Sequence, residues 1–392
     1  MRSALLTRLA VAAMCLSGAG WGVGFAANAQ RNIGTVMELG GSKLAVSPQE
    51  MRALSNLGSL ARSGQRGSQD RALAEARRIA NSRDARYALA LYELEIGKRR
   101  GDDVMRGQAL DVLIASPFTE RDRLPGHLAA RGQIAYRAGD LDTAGRLWAR
   151  MVELTPSDAD ALANLAQVRF AQKDFAGAMD LLTRAIAARE GLGQAAPEGW
   201  HRQRLSIAQQ GNFAAPGIEA ARALVSAYPT PANWRAALVV YRQVAVADEA
   251  FEIDLLRLMR HIGALTQAAE YQRMAQLLRQ SGEAREAKAV LDDGLKRGLL
   301  EAGTSPTREI IAEVDRAVAK ARGTSAGGSE PRNKAGAQVR LGVAKLFGGQ
   351  RGEAEAAFRS AAGDATGGRY ADLAFFWLKS LAQGQPGSAG IS

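Results

Sequence analysis

The chain has 392 residues, 47% of them hydrophobic and 23% charged. That balance excludes a disordered polyelectrolyte and a polytopic membrane protein, and it suits two or three ordinary domains or one long repeat array. Lys and Arg outnumber Asp and Glu by 51 to 40, for a formal charge of +11. The basic residues are scattered, with Arg77-Arg78 and Lys98-Arg99-Arg100 the densest groups, so they read as solvated helix faces rather than a nucleic-acid patch.

Arg2 and Arg8 open the chain, no acid precedes Glu38, and a largely apolar stretch from Leu9 to Ala27 ends in Ala27-Asn28-Ala29. This is the pattern of a secretory signal peptide over residues 1–29, cleaved before Gln30, which places the mature protein in the periplasm. The alternative is an uncleaved segment that anchors the chain in the inner membrane, although Gly18, Gly20, Gly22 and Gly24 weaken it as a spanning helix. The single cysteine, Cys15, lies in this segment behind Met14, which is too large for a lipoprotein signal. A mature chain without cysteine has no disulfide, thiol nucleophile or cysteine-bound zinc, so packing must supply its stability.

Farther on, Ser47-Pro48 opens a helix through Leu54, Leu57, Gly58 and Leu60, and a second runs from Asp70 to Ala80. Tyr87 to Ile96 and Val104 to Ile114 form the next pair, around Gly101-Asp102. A device then repeats. Gly139-Asp140 is followed by Ala144, and thirty-four residues later Lys173-Asp174 is followed by Ala178. It recurs as Gly211-Asn212 to Pro216, Gly282-Glu283 to Ala287 and Gly349-Gln350 to Ala354. A residue tolerant of the left-handed conformation ends one helix, a polar residue opens the next, and a small residue lets the two approach.

Trp234 to Val244 and Phe251 to Ile262 make a further hairpin, with Leu255, Leu256, Leu258 and Met259 as its buried stripe. Thr304-Ser305-Pro306 breaks the array before a helix from Thr307 to Arg322, and Gly323 to Lys334 reads as a linker. A closing helix from Tyr370 to Leu381 brings Phe375, Phe376 and Trp377 to the end of the final hairpin, and residues 383–392 read as a disordered tail. No alternation of period two stands out, so no sheet is expected.

Around the devices stand Leu128, Gly132, Trp148 and Pro156, then Leu162, Leu165, Ala166 and Leu182, then Tyr271, Ala275, Leu278 and Leu291. These residues resemble the tetratricopeptide repeat family over 125–192, 268–296 and 335–362. Residues 197–229 are a weaker copy, because Pro216 takes the place of the small alanine; Lys173 and Arg131 are further departures. The resemblance implies an all-α, right-handed superhelical solenoid of antiparallel helix hairpins. On that reading 30–303 is the main array, 304–334 a helix plus linker, and 335–382 a last repeat with its closing helix.

The resemblance also implies a concave groove lined by the first helix of each pair. It would offer Gln133, Tyr136, Arg137, Asn164, Gln167, Phe170, His201 and Arg202 to a protein or peptide segment. Tyr136 and Phe170 can equally pack against adjacent helices. Ala129 and Ala163 stand where members that clamp a peptide's terminal carboxylate carry basic residues, so that mode is not expected.

Chemistry-bearing patterns are few. His127, His201 and His261 lie far apart, without the spacing of a helical metal pair, and no H-E-x-x-H, Walker A or G-x-S-x-G motif occurs. The acid pairs Glu252/Asp254 and Asp158/Asp160 are two residues apart and point to different helix faces, with Asp158 better read as a helix start. No metal, cofactor or catalytic set is expected. The reading is a non-enzymatic exported scaffold or adaptor in cell-envelope assembly or maintenance. The alternative is a component of a polysaccharide export or secretion apparatus, its arginines meeting an acidic envelope polymer. Neither involves nucleic acid, and membrane contact would come only from an uncleaved N-terminal segment.

Overall fold

A computed structural model describes residues 35–62, 65–245, 248–321 and 334–383. The expected signal segment, the linker up to residue 333 and the tail from residue 384 lie outside the described residues. The chain divides into two compact units, Met1–Met105 and Arg106–Ser392.

The first unit opens with strands β1 (Thr35–Leu39) and β2 (Ser42–Val46), paired antiparallel from Thr35↔Val46 to Leu39↔Ser42. This hairpin corrects the expectation of no sheet. Gly40 and Gly41 both have positive φ, 61° and 83°, as a tight two-residue turn requires, and the strands beside them are too short to show a clear alternation. Met37, Leu44 and Val46 point into the unit.

Helices α1 (Pro48–Ala61), α2 (Arg66–Ile79) and α3 (Arg83–Arg100) follow; α4 (Asp103–Ala115), after Gly101 with its φ of +68°, runs mostly within the second unit. Ser47 and Glu50 form a reciprocal capping box at the start of α1. Glu50 also accepts the backbone N–H groups of Asn81 (3.1 Å) and Ser82 (2.9 Å), tying α1 to the α2–α3 turn. Burial raises the proton affinity of this carboxyl, but the N–H groups of Ser82 and Ser47 outweigh it and hold Glu50 below the usual range. A depressed carboxyl contributes stability that is present above its unfolded pKa and lost as pH falls through the folded one. Glu50→Gln should therefore cost about 1–3 kcal/mol at neutral pH. It should also flatten the fall in urea midpoint between about pH 5 and pH 3.

The second unit is an all-α array of consecutive antiparallel hairpins, as the repeat implied. The hairpins are α5 (Leu124–Arg137) with α6 (Leu141–Leu154), α7 (Ala159–Ala171) with α8 (Phe175–Gly191), and α9 (Glu198–Gln210) with α10 (Ala214–Ala227). Next come α11 (Pro231–Ala245), α12 (Glu249–His261), α13 (Ala268–Gln280), α14 (Ala284–Lys296) and α15 (Thr307–Lys320). The chain ends in α16 (Lys334–Phe347), α17 (Arg351–Ala362) and α18 (Arg369–Ala382).

Left-handed residues end the first helices at Gly139, Lys173, Gly282 and Gly349, and the Asp140 and Asp174 side chains cap the helices that follow. In the third hairpin the left-handed residue is Asn212 rather than Gly211. The register is therefore one residue later than the sequence suggested. The buried small residue is Gly217, and Pro216 sits beside it in the first turn of α10, where a missing N–H costs nothing.

Hairpin packing shows as size complementarity. Gly132 and Trp148, Ala166 and Leu182, Ala275 and Leu291, and Gly342 and Phe358 are each sixteen residues apart, one member per helix, and all are buried. A Cβ on Gly132 would stand 2.6 Å from Trp148 Nε1, and the fully buried ring has no room to retreat. Gly132→Ala should destabilise the protein by about 1–2 kcal/mol net of its helix-propensity gain. In a Trp148→Leu background that loss should shrink, a non-additivity that a double-mutant cycle in urea would read.

The last helix does more than close its own hairpin. Trp377 stacks on Phe358 of α17, with ring centroids 5.3 Å apart. The other side of α18 meets α10, α11 and α12, helices more than a hundred residues earlier in the chain. Phe376 lies 5.0 Å from Tyr241 and 6.2 Å from Trp234, and Tyr370 lies 5.1 Å from Phe251. The Tyr241 hydroxyl donates to the Arg369 carbonyl at 2.6 Å, and Arg222 pairs with Asp372 at 3.0 Å. This docking explains α12, in which every residue from Phe251 to Met259 is buried instead of a single stripe.

Candidate functional site

An open cavity of about 600 Å³ lies between the first helices α11 and α13, lined by Arg235, Val239, Arg242 and Gln243 on one side and by Gln267 and Glu270 on the other. Arg235, Val239 and Arg242 stand at steps of four and three residues, a single stripe along α11. Ala129, Gln133 and Tyr136 on α5, and Ala163, Gln167 and Phe170 on α7, follow the same steps. The cavity thus occupies, two hairpins farther along, the helix face from which groove residues were expected.

Its charges are internally matched. Arg235 donates to both Glu270 oxygens at 3.2 Å and to the Ala264 carbonyl. Glu270 also accepts the N–H groups of Thr266 (2.9 Å) and Gln267 (3.1 Å). Burial pushes this carboxyl up, yet Arg235 and the two amides prevail and hold it below the usual range. From α12, Glu252 accepts from Arg242 and, at 2.9 Å, from Arg273, and the same balance holds it low. Gln209 of α9 donates its amide to Gln243 at 2.9 Å, linking neighbouring first helices. Nothing in the cavity pairs a nucleophile with a base; its polar groups can position a ligand and exclude a like charge.

Of the residues expected in the groove, Gln133 and Arg137 are exposed on α5, and Tyr136 is half-buried with its ring 5.8 Å from that of Trp148. Asn164, Gln167 and Phe170 are half-buried on α7, where Phe170 lies 5.8 Å from Phe175. Arg202 is exposed and pairs with Glu198 at 3.6 Å. His201 is different: it is 4% exposed and its ring lies 5.8 Å from Tyr228. With Asn212 as the left-handed residue, His201 stands eleven residues before it, as Leu128 stands before Gly139 and Leu162 before Lys173. It therefore fills a core position rather than a groove position, and burial lowers its pKa.

None of these eight residues lines the α11–α13 cavity. Arg235, Val239, Arg242 and Gln243 were missed because no glycine announces the turn of their hairpin; Asp248 caps α12 there, accepting the Phe251 N–H at 2.8 Å. The spacing after Trp234 carried the signal. Among the described residues no group of three or more His, Cys, Asp or Glu could hold a metal, and no helix is long and apolar enough to cross a membrane.

Sequence comparison finds tetratricopeptide repeat protein 36 of Bos taurus 39% identical over 84 residues, which is 21% of this chain and 45% of that protein. The Homo sapiens protein of the same name is 38% identical over 84 residues, covering 21% and 44%. The helical hairpins are tetratricopeptide-like. The match spans less than half the length of these curated relatives. A solved tetratricopeptide repeat protein from Parabacteroides merdae aligns over 74% of this chain and 99% of its own, at 14% identity and a TM-score of 0.37. No protein-family model matches the chain.

Proposed function

We propose that this tetratricopeptide-like protein is a non-enzymatic scaffold that holds a protein or peptide partner along the first-helix face of residues 106–392. The observation that carries the reading is the α11–α13 cavity, which opens on the stripe where repeated first helices present residues at common steps. Its ion pairs fix the walls without supplying a reactive group, which favours binding over catalysis. The signal-like N-terminal pattern adds an exported, periplasmic location and a role in cell-envelope assembly or maintenance.

Affinity capture from an envelope extract, with the purified protein as bait, tests this. A partner should be retained by the natural protein and lost on Val239→Asp, which puts an acid into the cavity lining, with circular dichroism confirming an intact fold. Capture of no envelope component, or equal capture by the variant, would overturn the reading.

A further inference from the structure

We infer that the outer edge of β1 pairs with the same edge of a second copy of this chain, antiparallel about Met37, so that two hairpins join into one four-stranded sheet. This goes beyond the scaffold reading and does not depend on it. The two-residue turn at Gly40-Gly41 makes Leu39↔Ser42 a hydrogen-bonded pair, and bonded and non-bonded pairs then alternate along the ladder. Met37↔Leu44 and Thr35↔Val46 are therefore bonded across the hairpin, while Val36, Glu38, Lys43 and Ala45 turn their N–H and C=O groups outward. The Ala45 N–H fixes the phase, since it donates to Asp84 Oδ2 of α3 at 2.7 Å.

The two edges differ. β2 lies against α3, and one of its outward donors is taken by Asp84. On β1, among the described residues, nothing outside the hairpin bonds the main chain of Val36 or Glu38. The strand carries no proline, bulge or inward-facing charge, the features that usually block edge pairing. Beside this edge Val36 is 60% exposed and Leu39 is half-buried.

A second copy fits this edge. Turned about a two-fold axis at Met37, Val36 of one copy stands opposite Glu38 of the other. Both present outward groups, so four N–H···O=C bonds close. Glu38, the one charge on β1, then faces a valine rather than a like charge, and stays paired with Lys43 of its own hairpin at 3.7 Å. Its methylenes lie over the exposed Val36. On the buried face Met37 meets Met37, and the half-buried Leu39 gains Thr35 beside it, so the apolar row of Leu44 and Met37 runs on across the axis. A pairing of this symmetry closes on itself and stops at a dimer.

Sedimentation equilibrium of the full chain between about 1 and about 200 µM tests the inference, because so small an interface is weak and needs high concentration. A reversible dimer should appear. Val36→Pro removes an outward N–H that the hairpin itself does not use, so it should weaken the dimer about tenfold or more with circular dichroism unchanged. In a Cys15→Ser background, Met37→Cys should give a disulfide-linked dimer under mild oxidation, since non-hydrogen-bonded partners stand about 4.5 Å apart at Cα. Ser42→Cys, away from the axis, should give far less. A chain that stays monomeric at the highest concentration, or a dimer indifferent to Val36→Pro, would overturn the inference. Slow hydrogen exchange at the Val36 and Glu38 amides of a monomeric chain would overturn it too, and would assign the edge to residues 1–34.

Discussion

Asp254→Ala should cost about 3–5 kcal/mol, the range expected when one member of a buried ionic cluster is removed and its partners stay behind. Asp254 is fully buried and accepts from Arg257 of its own helix and from Arg340 of α16, both at 2.9 Å. Arg257, 9% exposed, also reaches Glu286 at 2.6 and 2.9 Å, and Glu283. Without Asp254, Arg257 keeps two carboxylates, whereas Arg340 loses the acid it reaches across eighty-six residues of sequence. The damage should therefore fall on the joint between α12 and α16. Replacing both ends by leucine, Asp254→Leu with Arg340→Leu, should recover at least half of the loss, because an apolar pair carries no desolvation penalty. Urea unfolding of the three proteins checks the order, and equal losses for the single and double replacements would contradict it.

The acids on α12 show how far the sequence could be followed. Glu252 and Asp254 stand two residues apart, so a helix must send them to different sides. One does reach the cavity's Arg242 and also Arg273 of α13, and the other reaches Arg340 and Arg257. That divergence was legible; the partners were not, since they lie on helices fixed only by tertiary packing. The repeated hairpins were legible for a similar reason. Their turns need a left-handed residue and their contacts need a small residue opposite a large one, and both demands are local.

The slip at Asn212 shows the limit of that logic. Gly211 is the more permissive residue, but asparagine also tolerates positive φ, and the packing of His201, Leu205 and Gly217 decided between them. The β1–β2 hairpin was signalled only by Gly40-Gly41, too little beside two five-residue strands. The α11–α13 cavity was hidden because its hairpin lacks the glycine turn used to set the register elsewhere.

Trp377→Ala should be comparably severe, about 3–5 kcal/mol for a fully buried tryptophan cut to alanine. The site joins two packing surfaces. One ring face lies almost parallel to Phe358, at 3° between planes, which closes the α16–α18 hairpins. His261 at the end of α12 lies 5.0 Å away, on the earlier part of the array. Phe375, the neighbouring ring two positions earlier, makes a useful contrast. It is half-buried under Arg222, whose guanidinium carbon stands 4.0 Å from the ring centroid, and the loss of such a contact should cost roughly 1 kcal/mol beyond the buried area. The two variants should also differ in where the fold loosens. Hydrogen exchange after Trp377→Ala should rise both in residues 334–383 and along α12, because the same ring supports both. After Phe375→Ala it should rise mainly along α18 and α10, where Arg222 sits. Exchange in α12 unchanged by Trp377→Ala would mean that α12 holds its place without the Trp377 ring, through its other neighbours and the Asp254–Arg340 pair with α16.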